Sequence, residues 1–139
     1  MLAEDIMTRD PVTVTERATI GEALNVLAEQ GIRHLPVVRG SEVVGILSDR
    51  DFTSLGIVLV NDVEGYDRLR SRLSQPVGVL MSSDVVSVSP DTDLSEIVAL
   101  MLEEKLSAVP VVGGEDDELV GIVSYVDVLR ATQELLGDA

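Results

Sequence analysis

The sequence predicts a mixed α/β fold of the α+β type, in which two βαββα repeats pack as a pseudo-twofold pair. The first observation is internal repetition, because residues 6–38 lie over residues 80–112 with a constant offset of 74. The second is that each copy passes through the same order of short strand, amphipathic helix and two β-branched runs. The third is that 139 residues without cysteine are long enough to form a core from apolar side chains alone.

Each copy opens with a short predicted strand. Val12 and Val14 flank a polar residue in the first copy, and Val86 and Val88 do so in the second. Alternating residues share one face of a strand. Because this strand reaches the next one only through a helix, we expect the two strands to lie parallel to each other.

An amphipathic helix follows in each copy. Residues 19–22 and 93–96 have the form of a capping box, which marks a helix N-terminus. Gly31 is placed to end the first helix in a left-handed conformation, whereas Lys105 would bring a positive charge to the negative end of the second helix. Apolar residues recur with helical spacing and predict the same buried stripe in both copies: Ile20, Ala23, Leu24 and Leu27, and Leu94, Ile97, Val98 and Met101.

Two β-branched runs joined by a polar turn complete each sheet. They predict hairpins over residues 35–47 and 109–123, each followed by a helix that begins at Ser48 or Ser124. In the first copy this helix should continue over residues 55–60, break at residues 61–62 and be followed by a short helix around residues 66–73. We therefore expect residues 1–75 to form the first repeat with a connecting helix, and residues 76–139 to form the second.

The charge of the chain excludes several classes of partner. Twenty-five acidic residues against ten basic ones give a net charge of −15, which repels nucleic-acid phosphates and anionic membrane surfaces. We expect no nucleic acid and no membrane among the partners. The first residues lack the basic and apolar regions of a secretory signal, and no uncharged run approaches the ~20 residues that span a bilayer. The sequence therefore predicts a cytoplasmic protein.

The residues best suited to chemistry follow the second β-branched run of each copy. Residues 45–51 read Gly-Ile-Leu-Ser-Asp-Arg-Asp, and residues 121–127 read Gly-Ile-Val-Ser-Tyr-Val-Asp. One interpretation is structural, because Ser-x-x-Asp after a strand caps a helix. The other is functional, because helix N-terminal amides bind phosphate, a serine hydroxyl donates to a phosphate oxygen and an aspartate accepts the hydroxyls of a ribose. Both interpretations stay open at this point.

Three features together resemble a known family. The Pro-Val-Val strand, the Gly-x-x-Ser-x-x-Asp ending and the tandem duplication are similar to those of the CBS-domain pair, also called a Bateman module, over residues 2–136. The resemblance implies a regulatory module that binds an adenosyl ligand in the cleft between its repeats. The ligands it implies are AMP, ADP, ATP and S-adenosylmethionine. It also implies control of a partner, such as an enzyme, a transporter or channel, or a transcription factor.

The same resemblance assigns roles to residues by position. Asp51 and Asp127 match the ribose-binding acids, and Ser48 and Ser124 match the serines that contact phosphate. Residues just before the strand proline line the cleft in the family. In the second copy they are small and apolar, which suits an adenine pocket formed by five residues: Val86, Ser87, Leu106, Ser107 and Ala108.

The two candidate sites differ in charge. The Asp51 site offers four candidate phosphate ligands: Arg33, His34, Ser48 and Arg50. The Asp127 site offers only Ser124, with Val126 where Arg50 stands in the other copy. Because arginine binds phosphate strongly, we expect tighter binding at the Asp51 site, with AMP favoured and ADP or ATP as the other nucleotides.

The sequence predicts neither catalytic residues nor a metal site. The chain has no cysteine, one histidine, and serines that fit helix caps, so no nucleophile and base can be paired. The acidic run at residues 115–118 fits a solvated turn, and Mg²⁺ is expected only with ATP as ligand. A symmetric homodimer follows from the resemblance and from the prevalence of twofold oligomers. The alternatives are a sensor of S-adenosylmethionine or a related adenosyl ligand, and a structural or interaction protein that binds no ligand.

Overall fold

The structure is a computed structural model that describes residues 1–53 and 63–137, without the side chains of residues 63–66. The expected helix over residues 55–60 and the break at residues 61–62 lie outside the described residues. The elements follow in chain order: α1 Ala3–Ile6, β1 Thr8–Arg9, β2 Val14–Thr15, α2 Ile20–Gln30, β3 His34–Arg39, β4 Glu42–Ser48, α3 Asp49–Thr53, α4 Val63–Leu73, a 3₁₀ turn Val77–Val79, α5 Leu94–Glu104, β5 Ala108–Gly113, β6 Glu118–Ser124 and α6 Tyr125–Gly137. The mixed α+β fold with two three-stranded sheets confirms the predicted fold class.

The chain forms two compact units. One is residues 12–85, here called the contiguous unit, and the other combines residues 1–11 with residues 86–139, here called the split unit. Both units contain the amphipathic helix and the hairpin expected of one repeat. The domain limits at residues 75 and 76 follow the sequence repeat and stay a prediction.

The contiguous unit holds the sheet β2-β3-β4. Val14 of β2 pairs with Val37 of β3 in parallel, which confirms the expected direction of the opening strand. Strands β3 and β4 form the predicted antiparallel hairpin, with a bulge between Val37 and Val38. The opening strand is only two residues long, because Val12 lies outside the ladder and is 39% exposed.

The split unit holds the sheet β1-β6-β5. Strands β5 and β6 form the second hairpin, with the same bulge between Val111 and Val112. The opening strand of this copy is reduced to a single parallel bridge between Val88 and Val111. Strand β1 pairs antiparallel with β6, through Thr8 and Ile122, and this pairing was not predicted.

The first residues of each sequence copy, residues 1–11 and 75–85, are here called its leading segment. Each leading segment packs against the rest of the other copy. Leu94 N–H donates to the Met1 carbonyl at 2.8 Å, and Ile20 N–H donates to the Gln75 carbonyl at 2.9 Å. Thr8 pairs with Ile122 in the split unit. Ser82, the equivalent of Thr8, bridges to Ile46 in the contiguous unit. The exchange is therefore reciprocal, and each unit is completed by residues from the start of the other copy.

In each leading segment a methionine side chain packs against a glycine of a strand in the same unit. The side chain of Met81 lies over Gly45, and that of Met7 lies over Gly121. A β-carbon on either glycine would overlap the methionine sulfur. The absence of a β-carbon at both positions lets a second segment approach the strand closely.

The helix ends follow the predicted signals, with one difference. Thr19 caps α2 by accepting from Glu22 N–H at 3.1 Å, and Gly31 ends the helix with φ at 62°. Asp93 caps α5, but its carboxylate accepts from Ser95 N–H at 3.0 Å rather than from the N–H of residue 96. Lys105 ends α5 in the left-handed region with φ at 56°. An L-residue is strained in this conformation, and glycine is not.

Each unit has its own apolar core. The predicted helical stripes supply both cores, together with strand residues and a residue from the exchanged segment. Among the described residues, no helix is long and apolar enough to cross a membrane. The buried core residues of the contiguous unit are Ile20, Ala23, Leu27, Leu35, Val37, Leu47, Phe52 and Val77, and those of the split unit are Ala3, Val88, Ile97, Met101, Val109, Val111 and Val123.

Candidate functional site

The first candidate site lies where β4 ends and α3 begins, and we call its residues the first corner: Arg33, His34, Ser48, Arg50 and Asp51. Ser48 N–H donates to Asp51 Oδ2 at 2.8 Å, and Ser48 Oγ lies 3.4 Å from the same oxygen. His34 stands opposite Ser48 in the ladder of β3 and β4. The register therefore brings residues from both ends of the hairpin to one place.

A backbone hydrogen bond ties Arg33 into the first corner. Asp49 N–H donates to the Arg33 carbonyl at 3.0 Å, so the start of α3 is fixed to the residue before β3. The Arg33 and Arg50 side chains are exposed, while His34, Ser48 and Asp51 are half-buried. The corner thus presents two cations at its surface above a partly covered carboxylate.

The second candidate site lies where β6 ends and α6 begins, and we call its residues the second corner: Ser107, Ala108, Ser124, Val126 and Asp127. Ser124 N–H donates to Asp127 Oδ2 at 2.8 Å, and Asp127 N–H donates back to Ser124 Oγ at 3.3 Å. Tyr125 N–H donates to the Ser107 carbonyl at 2.9 Å. Ala108 stands opposite Ser124, as His34 does opposite Ser48. The backbone of the first corner is therefore reproduced.

Both aspartates lie in the first turn of their helix and accept from the N–H of the serine that precedes it, as the structural interpretation requires. In each corner the 2.8 Å bond from the serine N–H uses one carboxylate oxygen, Oδ2. An ionised carboxylate has two oxygens and about four acceptor positions, so capping and ribose binding do not compete for one acceptor. In the second corner Asp127 is 13% exposed, and its Oδ1 lies 3.9 Å from Arg130 Nη1. The structure is compatible with both interpretations.

The predicted adenine pocket falls into two segments of the split unit. Leu106 and Ser107 precede β5 and are half-buried, and Ala108 begins β5 and is 6% exposed. Val86 and Ser87 lie just before Val88, which bridges Val111 in parallel. The parallel direction leads Val86 and Ser87 toward the Ala108 end of β5. The assignment of these residues to an adenine pocket stays a prediction.

The two units carry very different charges. The contiguous unit has ten acidic and seven basic residues, a net charge of −3, and the split unit has fifteen acidic and three basic residues, a net charge of −12. An anion is repelled far more by the field of the split unit than by that of the contiguous unit. The arginines of the first corner therefore lie in the unit that repels an anionic ligand less.

The acidic residues 115–118 are all exposed, as the solvated-turn interpretation predicts. Within residues 1–53 and 63–137, no group of three or more histidine, aspartate or glutamate side chains is arranged to hold a metal ion.

Sequence reasoning missed the backbone bonds that link each helix start to the residue before β3 or β5. These bonds depend on the hairpin register, and each hairpin contains a bulge that shifts the register by one residue. The spacing from the strand proline to the Ser-x-x-Asp motif, 12 residues in the first copy and 14 in the second, gives no sign of where such a bulge lies. The position of Arg33 beside α3 was therefore predictable only by resemblance.

Comparison with known proteins identifies both halves of the chain. The family model described as "CBS domain" matches residues 3–62 and again residues 77–134. The CBS domain-containing protein YhcV of Bacillus subtilis is 31% identical, over 98% of this chain and 90% of its own length. An inosine-5'-monophosphate dehydrogenase of Korarchaeum cryptofilum is 33% identical over 91% of this chain, which spans only 23% of that enzyme.

Solved structures show the same architecture. CBSX2 in complex with AMP is 28% identical, with a TM-score of 0.77 over 96% of this chain and 97% of CBSX2. The CBS domain pair of protein MJ0100, in complex with 5-methylthioadenosine and S-adenosyl-L-methionine, is 25% identical, with a TM-score of 0.78 over 95% of this chain and 99% of that one.

Proposed function

Because the chain belongs to the CBS-domain family and carries two copies of the domain, we propose that it is a regulatory module that senses an adenine nucleotide. AMP is the favoured ligand, ahead of ADP and ATP, and ligand binding controls a partner enzyme or transporter. The observation that carries this proposal is the placement of Arg33 and Arg50 at the first corner, in the unit whose net charge is only −3.

The role of each residue follows from the chemistry of a nucleotide. Asp51 accepts the ribose hydroxyls, while Ser48 and His34 contact the phosphate beside the two arginines. Arg33 can bind a phosphate through two parallel N–H donors, which is geometrically specific as well as strong. The equivalent roles at the second corner fall to Asp127 for ribose and Ser124 for phosphate. The residues proposed to contact adenine are Val86, Ser87, Leu106, Ser107 and Ala108.

Two structural relatives support the ligand class. CBSX2 was crystallised with AMP, and the MJ0100 domain pair was crystallised with two adenosyl compounds. The arginines favour AMP over an S-adenosylmethionine-type ligand, because that ligand is a cation and AMP is an anion. ATP is less favoured unless Mg²⁺ or salt screens it, since a net charge of −15 repels its larger anionic charge.

Calorimetric titration with AMP tests the proposal. Removing one charge-assisted contact of ~1.5–3 kcal/mol should weaken AMP binding about ten- to a hundredfold in Arg33→Ala and in Arg50→Ala. Arg17→Ala is the matched control, because Arg17 is exposed in the same unit but follows β2 near the Val38 end of β3, opposite to His34. Unchanged AMP affinity in both corner variants would contradict the assignment.

Thermal melting separates the alternatives. A ligand at ~100 times its Kd adds ~2.7 kcal/mol to the stability of the native state. Stabilisation by AMP supports the proposal, and stabilisation by S-adenosylmethionine alone favours the other adenosyl ligand. No stabilisation by any adenosyl compound favours a protein that keeps the fold for interaction only.

We also propose that the module acts as a symmetric homodimer, since ligand-driven control needs an arrangement that can shift. Closed twofold pairs are the commonest assembly of soluble proteins. Sedimentation velocity checks this part of the proposal independently of ligand binding.

A further inference from the structure

All the sulfur of the chain is in methionine side chains, since the sequence has four methionines and no cysteine. Met7 and Met81 stand at equivalent positions of the two leading segments, and both are half-buried. Met101 belongs to the core of the split unit and is 8% exposed, whereas Met1 is 42% exposed. Because a dissolved oxidant reaches a partly exposed side chain more easily than a buried one, Met7 and Met81 can be oxidised in the folded protein.

The side chains of Met7 and Met81 both pack in apolar surroundings. A β-carbon on Gly45 would overlap the Met81 sulfur, and one on Gly121 would overlap the Met7 sulfur. Met81 also packs against the core of the contiguous unit, and Met7 against that of the split unit. Oxidation to the sulfoxide makes the side chain polar and chiral, and its new oxygen needs a hydrogen-bond donor. An oxidised methionine therefore fits either contact poorly.

The two leading segments are held by unequal numbers of backbone pairs. In the split unit, residues 8–9 form a two-residue ladder with β6. In the contiguous unit the equivalent contact is the single bridge between Ser82 and Ile46, with hydrogen bonds of 3.0 and 3.1 Å. Strand β4 lies at the edge of its sheet, so this bridge supplies the hydrogen bonds on the open side of Ile46. Loss of the Met81 contact should therefore release its segment more easily than loss of the Met7 contact releases the other.

We propose that Met81 is a site of reversible oxidation, at which a hydroperoxide converts the thioether to a sulfoxide and releases Ser82 from β4. A sulfur lone pair attacks one peroxide oxygen, and the S–O bond forms as the O–O bond breaks. The rest of the peroxide leaves as water or an alcohol after proton transfer, so that sulfur loses the two electrons that the peroxide gains. A dithiol-dependent reductase reverses the change, since the dithiol becomes a disulfide and the sulfoxide oxygen leaves as water.

The first corner lies next to the bridge that this oxidation breaks. Strand β4 runs from Ile46 to Ser48, whose N–H donates to Asp51 at 2.8 Å. An edge strand without its outer hydrogen bonds has unpaired N–H and C=O groups, and its position is less well fixed. Because the bridge is two residues before Ser48, its loss should disturb the start of α3. We therefore expect oxidation of Met81 to weaken AMP binding, and this consequence, unlike the release of Ser82, rests on the proposed function.

Peroxide treatment of the full chain tests the release. Hydrogen peroxide is added until peptide mass mapping shows one added oxygen on Met81, and amide hydrogen exchange is then measured. We expect the Ile46 and Ser82 amides to lose protection, and methionine sulfoxide reductase with dithiothreitol to restore it. Met81→Leu removes the sulfur and should keep the protection through the same treatment. Met101→Leu is the matched control, because it removes a sulfur from the other unit and should behave as the wild type does.

Three outcomes overturn the proposal. The first is that the Ile46 and Ser82 amides stay protected when Met81 carries the oxygen. The second is that Met81 stays unoxidised while Met1 is fully converted. The third is that peroxide removes the protection equally in Met81→Leu. Should Met81→Leu fail to fold, recovery of the oxidised wild type with the reductase provides the same test.

Calorimetric titration of the oxidised protein with AMP tests the consequence for the first corner. We expect the Kd for AMP to rise about fivefold or more, the usual size of a coupling between two sites, and to return after treatment with the reductase. AMP binding that is indifferent to oxidation of Met81 overturns the link to the first corner and leaves the proposed function standing. An untreated wild type that binds no AMP contradicts the proposed function, while loss of protection at Ile46 and Ser82 still supports the oxidation site.

Discussion

The first and second corners share a backbone and differ in their side chains. In both, a serine N–H donates to the carboxylate of an aspartate three residues on, at 2.8 Å, and the next N–H bonds the residue before the neighbouring strand. The first corner adds two arginines and a histidine, and the second has serine, alanine and valine in their places. The Ser-x-x-Asp motif therefore determines the shape of the corner, while its neighbours determine which ligand charge it suits.

Transferring the arginines to the second corner should have the largest effect. The variant Ser107→Arg with Val126→Arg copies the cations of the first corner, because these positions correspond to Arg33 and Arg50. We expect AMP binding at the second corner to tighten about tenfold or more, at ~1.5–3 kcal/mol for each charge-assisted contact. Calorimetry should then show a second AMP bound for each chain. If the variant binds AMP as the wild type does, the arginines do not explain the difference between the corners.

Replacing the glycine under each leading segment by alanine should have the next largest effect, a loss of stability. Gly45→Ala meets only the flexible Met81 side chain, whereas Gly121→Ala also meets the Thr8 carbonyl at 3.0 Å. Since overpacking costs about 1–3 kcal/mol, we expect Gly45→Ala near the lower limit and Gly121→Ala near the upper one. Urea unfolding measures both, with Gly78→Ala as control, because a β-carbon at Gly78 meets no atom within 4 Å. Equal losses in the two variants would show that the backbone contact does not matter.

The residues that end α2 and α5 should give a smaller difference in stability between the two copies. Lys105 adopts the same left-handed conformation as Gly31, with φ at 56° and 62°. Lys105→Gly should stabilise the protein by about 1 kcal/mol, and Gly31→Lys should destabilise it by a similar amount. Thermal unfolding in the two variants checks the opposite signs. A destabilised Lys105→Gly variant would mean that the lysine charge at the helix end outweighs the backbone strain.

Salt should stabilise the split unit modestly more than the contiguous unit. The split unit has a net charge of −12 and the contiguous unit −3, so screening relieves more repulsion in the split unit. Amide hydrogen exchange in increasing KCl should show greater added protection in α5 and β6 than in α2 and β4. Sucrose, which does not screen charge, serves as the control. Equal gains in both units would show that the charge difference has no effect on stability.

Acid should affect the start of α5 more than that of α2. Hydrogen bonds from Ser95 hold the pKa of Asp93 below its ordinary value. Because the folded-state pKa is lowered, the cap stabilises the helix above the ordinary pKa and this stabilisation is lost as the pH falls through the lowered one. The protection of the Ser95 amide against exchange, taken relative to its intrinsic rate at each pH, should fall in acid, and Asp93→Ser should remove that fall. Acid sensitivity that survives in Asp93→Ser would have another source.

The sequence was sufficient for the parts of the fold that have local signals. The capping box at Thr19, the glycine at position 31 and the two hairpins followed from residue types at fixed spacing, and the structure confirms them. The exchange of leading segments has no such signal, because Thr8 and Ile122 are brought together only by the tertiary fold. The cap at Asp93 differed because Asp93 bonds both the N–H and the Oγ of Ser95.

The candidate site was predictable to a similar degree. The motif located the serine and aspartate of both corners, and their mutual hydrogen bonds agree with the capping interpretation. The approach of residue 33 to the start of α3 depends on the bulged register of the β3–β4 hairpin and on the backbone bond to Asp49. Neither feature is encoded by a pattern of residue types, and the ligand roles stay predictions.

The reciprocal exchange of leading segments imposes an order on synthesis. The contiguous unit can close as soon as Ser82 has emerged from the ribosome, because all its strands lie within residues 12–85. The split unit must wait for β6, more than a hundred residues after Met7, before that methionine can reach Gly121. Closing so long a loop costs only a little more free energy than closing a shorter one, since the entropic cost of closure grows only logarithmically with loop length. It does mean that residues 1–11 stay undocked, with Ala3 and Met7 accessible to chaperones, until β6 has been synthesised.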